Sequence, residues 1–298
     1  MSWTFEQVGG SFDDVLDGPL WHKGALLFCK VGKSEILRFD PQTKEFGCFR
    51  RYTIRTSGLA AAPDGSVYGA QSGSRRVCWF KNDGTTAVLA TKLAGKRHNH
   101  PHKIATDRKG RVWFSDIYSE IRTRGPQIFP PLDHCSVLRI DFETQKREWH
   151  IKRASFDTNE PRGLAFSPDE HTLYVSDGAR GDPTRQLKAY PVNDDGSLGV
   201  PRVLHTFGTD YIGPHEGAAG MCVDAQGNVV VAAGSSKAGP GPLIYVFSPK
   251  GQIIETHTVP ADKPTACVFG GANLDTLYIT TEAGLLFRVH DTGRQGVA

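Results

Sequence analysis

Apolar residues in this chain fall in short runs rich in Val, Ile, Leu, Tyr and Phe, and the runs keep stopping at Gly, Pro or Asp. Helical periodicity is hard to find anywhere, so the pattern reads as all-β. The runs also repeat. A unit made of an apolar triplet, then Asp or Pro-Asp, then Gly, then a second apolar run occurs at 57–68 (SGLAAAPDGSVY), 102–113 (HKIATDRKGRVW), 162–174 (RGLAFSPDEHTLY) and 219–230 (AGMCVDAQGNVV). A fifth, varied copy stands at 264–278 (PTACVFGGANLDTLY), and a disguised one at 17–28 (DGPLWHKGALLF). The starting positions 17, 57, 102, 162, 219 and 264 are separated by 40, 45, 60, 57 and 45 residues. Hairpin-centred repeats at that loose period predict a six-bladed β-propeller, with four-stranded antiparallel blades around a central channel. Each Asp-x-x-Gly or Pro-Asp-Gly then makes the tight turn between the first two strands of a blade. Runs at 34–40, 76–80, 136–141, 187–191 and 243–247 supply outer strands. With no linker or low-complexity tract, residues 1–298 are expected to form a single domain. The extra length around 117–134 and 177–215 predicts long loops over one end of the channel.

Composition narrows the function classes. The chain has 298 residues, 39% of them apolar and 22% charged, enough for a sizeable core and unlike a disordered chain. Its net charge of +3 is small and its Lys and Arg are scattered, which argues against a nucleic-acid surface. The six cysteines, at 29, 48, 78, 135, 222 and 267, form no C-x-x-C and read as buried free thiols. The N-terminus shows no secretory pattern and no apolar run approaches a membrane span, so a cytoplasmic location and no membrane partner are expected. The expected partner is a small molecule.

In a propeller the first strand of each blade lines the channel, so the residues opening the repeats share an axis: Asp17, Ser57, His102, Arg162, Ala219 and Pro264. An acid, an imidazole and a guanidinium together are unexpected in a purely structural channel, because burying them without partners costs on the order of several kcal/mol. Asp17, His102 and Arg162 are therefore the candidate catalytic residues. His98 and His100 alternate with His102 along an extended segment, where side chains two apart share a face. With Asn99 they are candidate substrate contacts, as are Asp116 and Asp177 at strand ends, His215 and Glu216 ahead of the fifth repeat, and the aromatics Trp21, Tyr118 and Tyr211. Gly-x-Ser-x-Gly, phosphate-loop and dinucleotide motifs are absent, which removes covalent serine catalysis and nucleotide cofactors.

The stretches GKRHNHP (95–101), PRGLAFSPD (161–169), AGMCVDAQGN (219–228) and FGG (269–271) resemble the gluconolactonase/regucalcin (senescence marker protein) propellers over nearly the whole chain. That resemblance implies the six-bladed fold and, for typical members, one divalent cation, often Ca²⁺, at the channel floor, where it polarises a lactone carbonyl and activates water. Relatives of this architecture also include phosphotriesterase-like and Pictet-Spenglerase enzymes. This sequence departs from the family at the metal itself. The family's Glu is Asp17, its two Asn are His102 (with Lys103 next) and Arg162, and its Asp is Ala219. Ca²⁺ takes six to eight oxygen ligands, so a family-type Ca²⁺ site is not expected.

Two readings of the cluster stay open. In the preferred one no metal is bound, Arg162 carries the cation's electrostatic role and pairs with Asp17 at rest, and His102 is the general base or acid. In the other, a divalent cation, Zn²⁺ rather than Ca²⁺, is held by His102 with Asp17 and one or two of His98, His100 and His215, the set Asp17, His102 and His215 being preferred. The expected function is a lactonase-like hydrolase acting on a cyclic ester, its substrate expected to carry a carboxylate. The alternatives are a metal-independent isomerase, lyase or cyclase on the same scaffold, and a non-catalytic small-molecule-binding propeller.

Overall fold

The structure, a computed structural model, describes residues 3–89, 91–119, 130–178 and 184–297. It is a six-bladed β-propeller, each blade a four-stranded antiparallel sheet. From the axis outward, blade 1 runs Leu16–His22, Ala25–Lys30, Glu35–Asp40 and Glu45–Arg51. Blade 2 runs Thr56–Ala61, Val67–Gln71, Arg76–Phe80 and Thr86–Val88, and blade 3 His100–Thr106, Val112–Ile117, Ser136–Glu143 and Glu148–Arg153. Blade 4 comprises Leu164–Phe166, Thr172–Asp177, Arg185–Pro191 and Arg202–Phe207, and blade 5 Ala218–Val223, Val229–Ser235, Ala238–Phe247 and Ile253–Thr258. Blade 6 takes Pro264–Gly270, Thr276–Thr281 and Leu286–Val289 from the C-terminal end and its outermost strand, Glu6–Gln7, from the N-terminal end. That pairing closes the ring. No helix among the described residues is long and apolar enough to cross a membrane.

The hydrophobic pattern follows from this layout. A second strand is covered on both faces by neighbouring blades, so Val67–Gln71 and Val229–Ser235 are buried throughout, whereas the outermost Glu45–Arg51 is mostly exposed. The core is accordingly divided into wedges between blades. Leu27, Ile36, Leu59 and Phe80 fill the one between blades 1 and 2, and Leu187, Phe207, Val231 and Phe247 the one between blades 4 and 5. The repeat aspartates cap the first hairpins: Asp64 Oδ1 accepts from Ser66 N at 2.9 Å and Asp224 Oδ1 from Asn228 N at 2.8 Å. Gly65, at φ 72°, supplies the left-handed residue of its turn.

One expectation changes. Of the long stretch 177–215, two parts are strands of blade 4, Arg185–Pro191 and Arg202–Phe207. Residues 179–183, and 120–129 within the other proposed loop, lie outside the described residues.

Candidate active site at the channel mouth

The inner strands are irregular where they enter the channel. In blade 3, Pro101 pairs with Asp116 and Ile104 with Phe114, so His102 and Lys103 together oppose the single residue Ser115. Such a bulge lets neighbouring side chains share a direction, and both reach the axis. Comparable register shifts occur between Asp17 and Leu20, Thr56 and Gly58, Ala218 and Met221, and Pro264 and Ala266. Short hydroxyls tie the bulges to neighbouring blades. Ser57 Oγ donates to the His102 carbonyl at 3.0 Å, Ser115 Oγ to the Arg162 carbonyl at 2.7 Å, and Thr265 Oγ1 to the Leu16 carbonyl at 2.6 Å. The inner strands lie so close that a Cβ on Gly58 would sit 2.6 Å from the His102 carbonyl oxygen, and one on Gly18 2.7 Å from that of Ser57.

A cavity of about 250 Å³ opens at this end, walled by Asp17, His102, Arg162, Glu216, Lys263 and Glu282 among others. Asp17 is buried. Its Oδ1 accepts from Gly18 N at 2.7 Å and from Lys103 Nζ, while its Oδ2 lies 3.8 Å from His102 Nε2. Burial pushes the Asp17 carboxyl up, against the opposing pull of Lys103 and the Gly18 N–H. His102 is pushed well below the ordinary imidazole value, first by burial and then by the Lys103 and Arg162 charges, so it is neutral at pH 7. Its Nδ1 has no hydrogen-bond partner among the described residues. Arg162 Nη2 bonds Glu160 Oε1 at 3.0 Å, Glu216 Oε1 accepts from Ser235 Oγ at 3.1 Å, and Lys263 Nζ lies 3.3 Å from Glu282 Oε2.

The three residues expected at the axis thus share one wall, but the expected resting pair between Asp17 and Arg162 does not form. Lys103, which sequence reasoning passed over, takes Asp17; Glu160, two residues before Arg162, takes the guanidinium. A signal for Lys103 was present. It stands in the repeat where Gly18, Gly58, Gly163 and Gly220 stand in other blades.

Of the expected substrate contacts, the structure brings only Glu216 into this cavity wall. His98 is fully buried edge-on against Phe114, 5.1 Å between ring centres. His100 is half-buried, and burial followed by the Arg75 charge pushes its imidazole down. Asn99 donates through its N–H to Asp116 Oδ2 at 2.7 Å and through Nδ2 to the His134 carbonyl at 3.3 Å. Asp177 accepts from Asn159 N and Glu160 N, each at 2.9 Å, and from Lys188 Nζ at 2.7 Å. Both aspartates therefore anchor loops at the mouth, Asp177 holding the segment that carries Glu160.

His215 is a core residue: Nδ1 accepts from Gly217 N at 2.8 Å, Nε2 lies 3.2 Å from the Tyr245 hydroxyl, and its ring packs 4.7 Å from Phe207. The ligand set Asp17, His102 and His215 is consequently not assembled. Trp21, four residues down the inner strand from Asp17, stacks on Tyr278 with ring centres 5.9 Å apart, away from the mouth. Tyr118 and Tyr211 are exposed, 67% and 97%, outside the cavity wall. Among the described residues no three His, Cys, Asp or Glu side chains converge as metal ligands.

Residues 16–283 match the model of the SMP-30/Gluconolactonase/LRE-like region. A gluconolactonase of Zymomonas mobilis is 28% identical over 233 residues, which cover 76% of this chain and 60% of that protein. A 6-deoxy-6-sulfogluconolactonase of Pseudomonas putida is 30% identical over 193 residues, 65% of this chain and 57% of that protein. The match therefore spans less than two thirds of either relative. A solved gluconolactonase structure from Xanthomonas campestris superposes with a TM-score of 0.78 at 24% identity, over 96% of this chain and 89% of that one.

Proposed function

The chain belongs to the SMP-30/gluconolactonase/LRE-like family, and from that premise we propose that it hydrolyses a lactone at the channel mouth, residues 1–298 working as one domain. The observation that carries the reading is His102, a neutral imidazole whose side chain is 25% exposed, on the same cavity wall as the Arg162 guanidinium. A neutral imidazole can take a proton from water as the water oxygen bonds to the lactone carbonyl carbon. The carbonyl π pair moves onto oxygen, where the Arg162 guanidinium meets the developing negative charge. Collapse breaks the ring C–O bond, and the imidazolium returns its proton to the departing alkoxide. The product is a hydroxy acid that ionises and releases one proton.

The donor set supports a route without a divalent cation. The one carboxylate at the floor, Asp17, is held by an ammonium, and Glu216 and Glu282 are engaged by Ser235 and Lys263. A small-molecule substrate in the cytoplasm fits with six cysteines that are all free.

The test is acid release from sugar lactones followed by pH-stat. One proton per turnover is expected, and His102→Ala and Arg162→Ala should each lower kcat/KM by ~10²-fold or more. Undiminished hydrolysis in both variants would sink the assignment. Turnover without acid release would transfer the site to an isomerase or lyase.

A further inference from the structure

We infer that the Lys103 ammonium is the site's resident cation: it fills, from within the chain, the place at the channel floor where a metal ion would meet Asp17. Lys103 is 6% exposed and crosses the axis from blade 3, donating to Asp17 Oδ1 of blade 1 and reaching the Thr265 carbonyl of blade 6 at 3.4 Å. A carboxylate and a main-chain carbonyl thus meet one positive nitrogen, and an imidazole nitrogen lies 3.8 Å from the same carboxylate. Those are the donor types that hard and borderline cations use. Here the charge is supplied by a side chain.

Two further observations show that this is a built feature. The neighbouring inner strands have Gly18, Gly58, Gly163 and Gly220 at the equivalent step, and each glycine abuts the next strand so closely that a Cβ would collide. At the two positions of the series that are not glycine, Thr265 donates its hydroxyl to the Leu16 carbonyl, whereas Lys103 reaches Asp17 across the axis, next to a cavity of about 60 Å³ walled by Gly58, Leu59, Leu164, Met221 and Ala266. The ammonium's charge meets Asp17 Oδ1 and the Thr265 carbonyl. A divalent ion placed at Asp17 would meet the Lys103 ammonium at contact and the Arg162 guanidinium on the same wall, with one carboxylate to offset all of them. Lys103 is thereby a positioning residue: it fixes Asp17 and sets the field at His102. The use of that field in ring opening rests on the lactone-hydrolase reading above.

Metal content separates the two claims. Protein purified without chelator should hold less than stoichiometric Ca, Mn, Zn or Fe by elemental analysis. Millimolar CaCl₂ or MnCl₂ should leave its Tm unchanged, and EDTA should leave any lactone hydrolysis unchanged. Lys103→Met is compared with Lys103→Met/Asp17→Asn: most of the lost Tm should return in the double variant. Stoichiometric metal in the wild-type protein, or simply additive losses of Tm in the two variants, overturns the inference. A wild-type protein free of metal that opens no lactone would retain the internal cation and refute the activity; lactone hydrolysis that EDTA abolishes would do the reverse.

Discussion

At the mouth of the channel a cavity of about 250 Å³ is walled by Asp17, His102, Arg162, Glu216 and Lys263, whereas at the far end one of about 260 Å³ is walled largely by Phe166, Val223, Val268, Phe269 and Val297. The far end has charges too, but they belong to its rim: Arg108 N donates to Glu170 Oε2 at 2.9 Å, joining two hairpin turns. Volume therefore does not tell the ends apart. What does is the bulged start of five of the six inner strands, which turns backbone and side chains toward the axis at the mouth, while the regular strand below it alternates apolar residues into the wedges. A propeller can separate stability from chemistry along one strand only a few residues long.

Phe269→Ala breaks that comparison most severely if it is wrong. Phe269 is 4% exposed in the wedge between blades 5 and 6 and also walls the far cavity. Its removal should cost ~3–5 kcal/mol of stability, read as a lowered denaturation midpoint, with kcat/KM on a lactone unchanged below that midpoint. A fall in kcat/KM out of proportion to unfolding would make the far end part of the active site.

The two ends should also answer pH with opposite signs. At the far end the turn aspartates Asp64 and Asp169 are held below the usual carboxylate range, chiefly by the Ser66 and Ser167 hydroxyls. Carboxyls lowered on folding stabilise above their unfolded value, about 4, and lose that contribution as pH falls through the folded one. Behind the mouth, burial pushes Asp116 up to about 7. A carboxyl raised on folding favours the folded state fully below about 4 and loses that contribution as pH rises through about 7. Asp116→Asn keeps an acceptor for the Asn99 N–H but cannot ionise. Its Tm should gain on the wild type by a few degrees between those two pH values and hold the gain above them. Parallel Tm curves would remove Asp116 from the account.

How much of this could be read beforehand depends on what each residue's role requires. Blade number and hairpin turns need only local patterns, and runs such as VYGAQ and VVVAAGS between Asp-Gly turns carry them. Asp17, His102 and Arg162 could be placed together because each opens a repeat. Their pairing could not, since it depends on a bulge that brings Lys103 to the axis beside His102. Lys103 was nonetheless legible as the one charged residue in a series otherwise made of glycines and Thr265. His215 illustrates the opposite case: its sequence neighbours Pro214 and Glu216 suggest a polar rim, and only the distant Phe207 and Tyr245 make it core. Trp21 lies further down the inner strand, past the Asp17–Leu20 bulge, where it stacks on Tyr278.

The smallest expected effect sharpens the mouth's selectivity. Lys263 borders the cavity beside Glu282, with side chains 34% and 50% exposed, so water screens the pair and its stability contribution is at most ~1 kcal/mol. It also holds φ 50°, a left-handed conformation that favours glycine. Lys263→Met removes the charge and keeps the backbone cost, while Lys263→Gly removes both. If the rim lysine draws a substrate carboxylate, both variants should raise KM for an anionic lactone by up to ~5-fold at low salt, with kcat and the KM of a neutral lactone unchanged. Lys263→Gly should match Lys263→Met in KM, because both lack the charge, and exceed it in Tm, because glycine takes φ 50° without strain. Equal KM values for anionic and neutral lactones in the wild type and both variants would confine recognition to Arg162 and the floor beneath it.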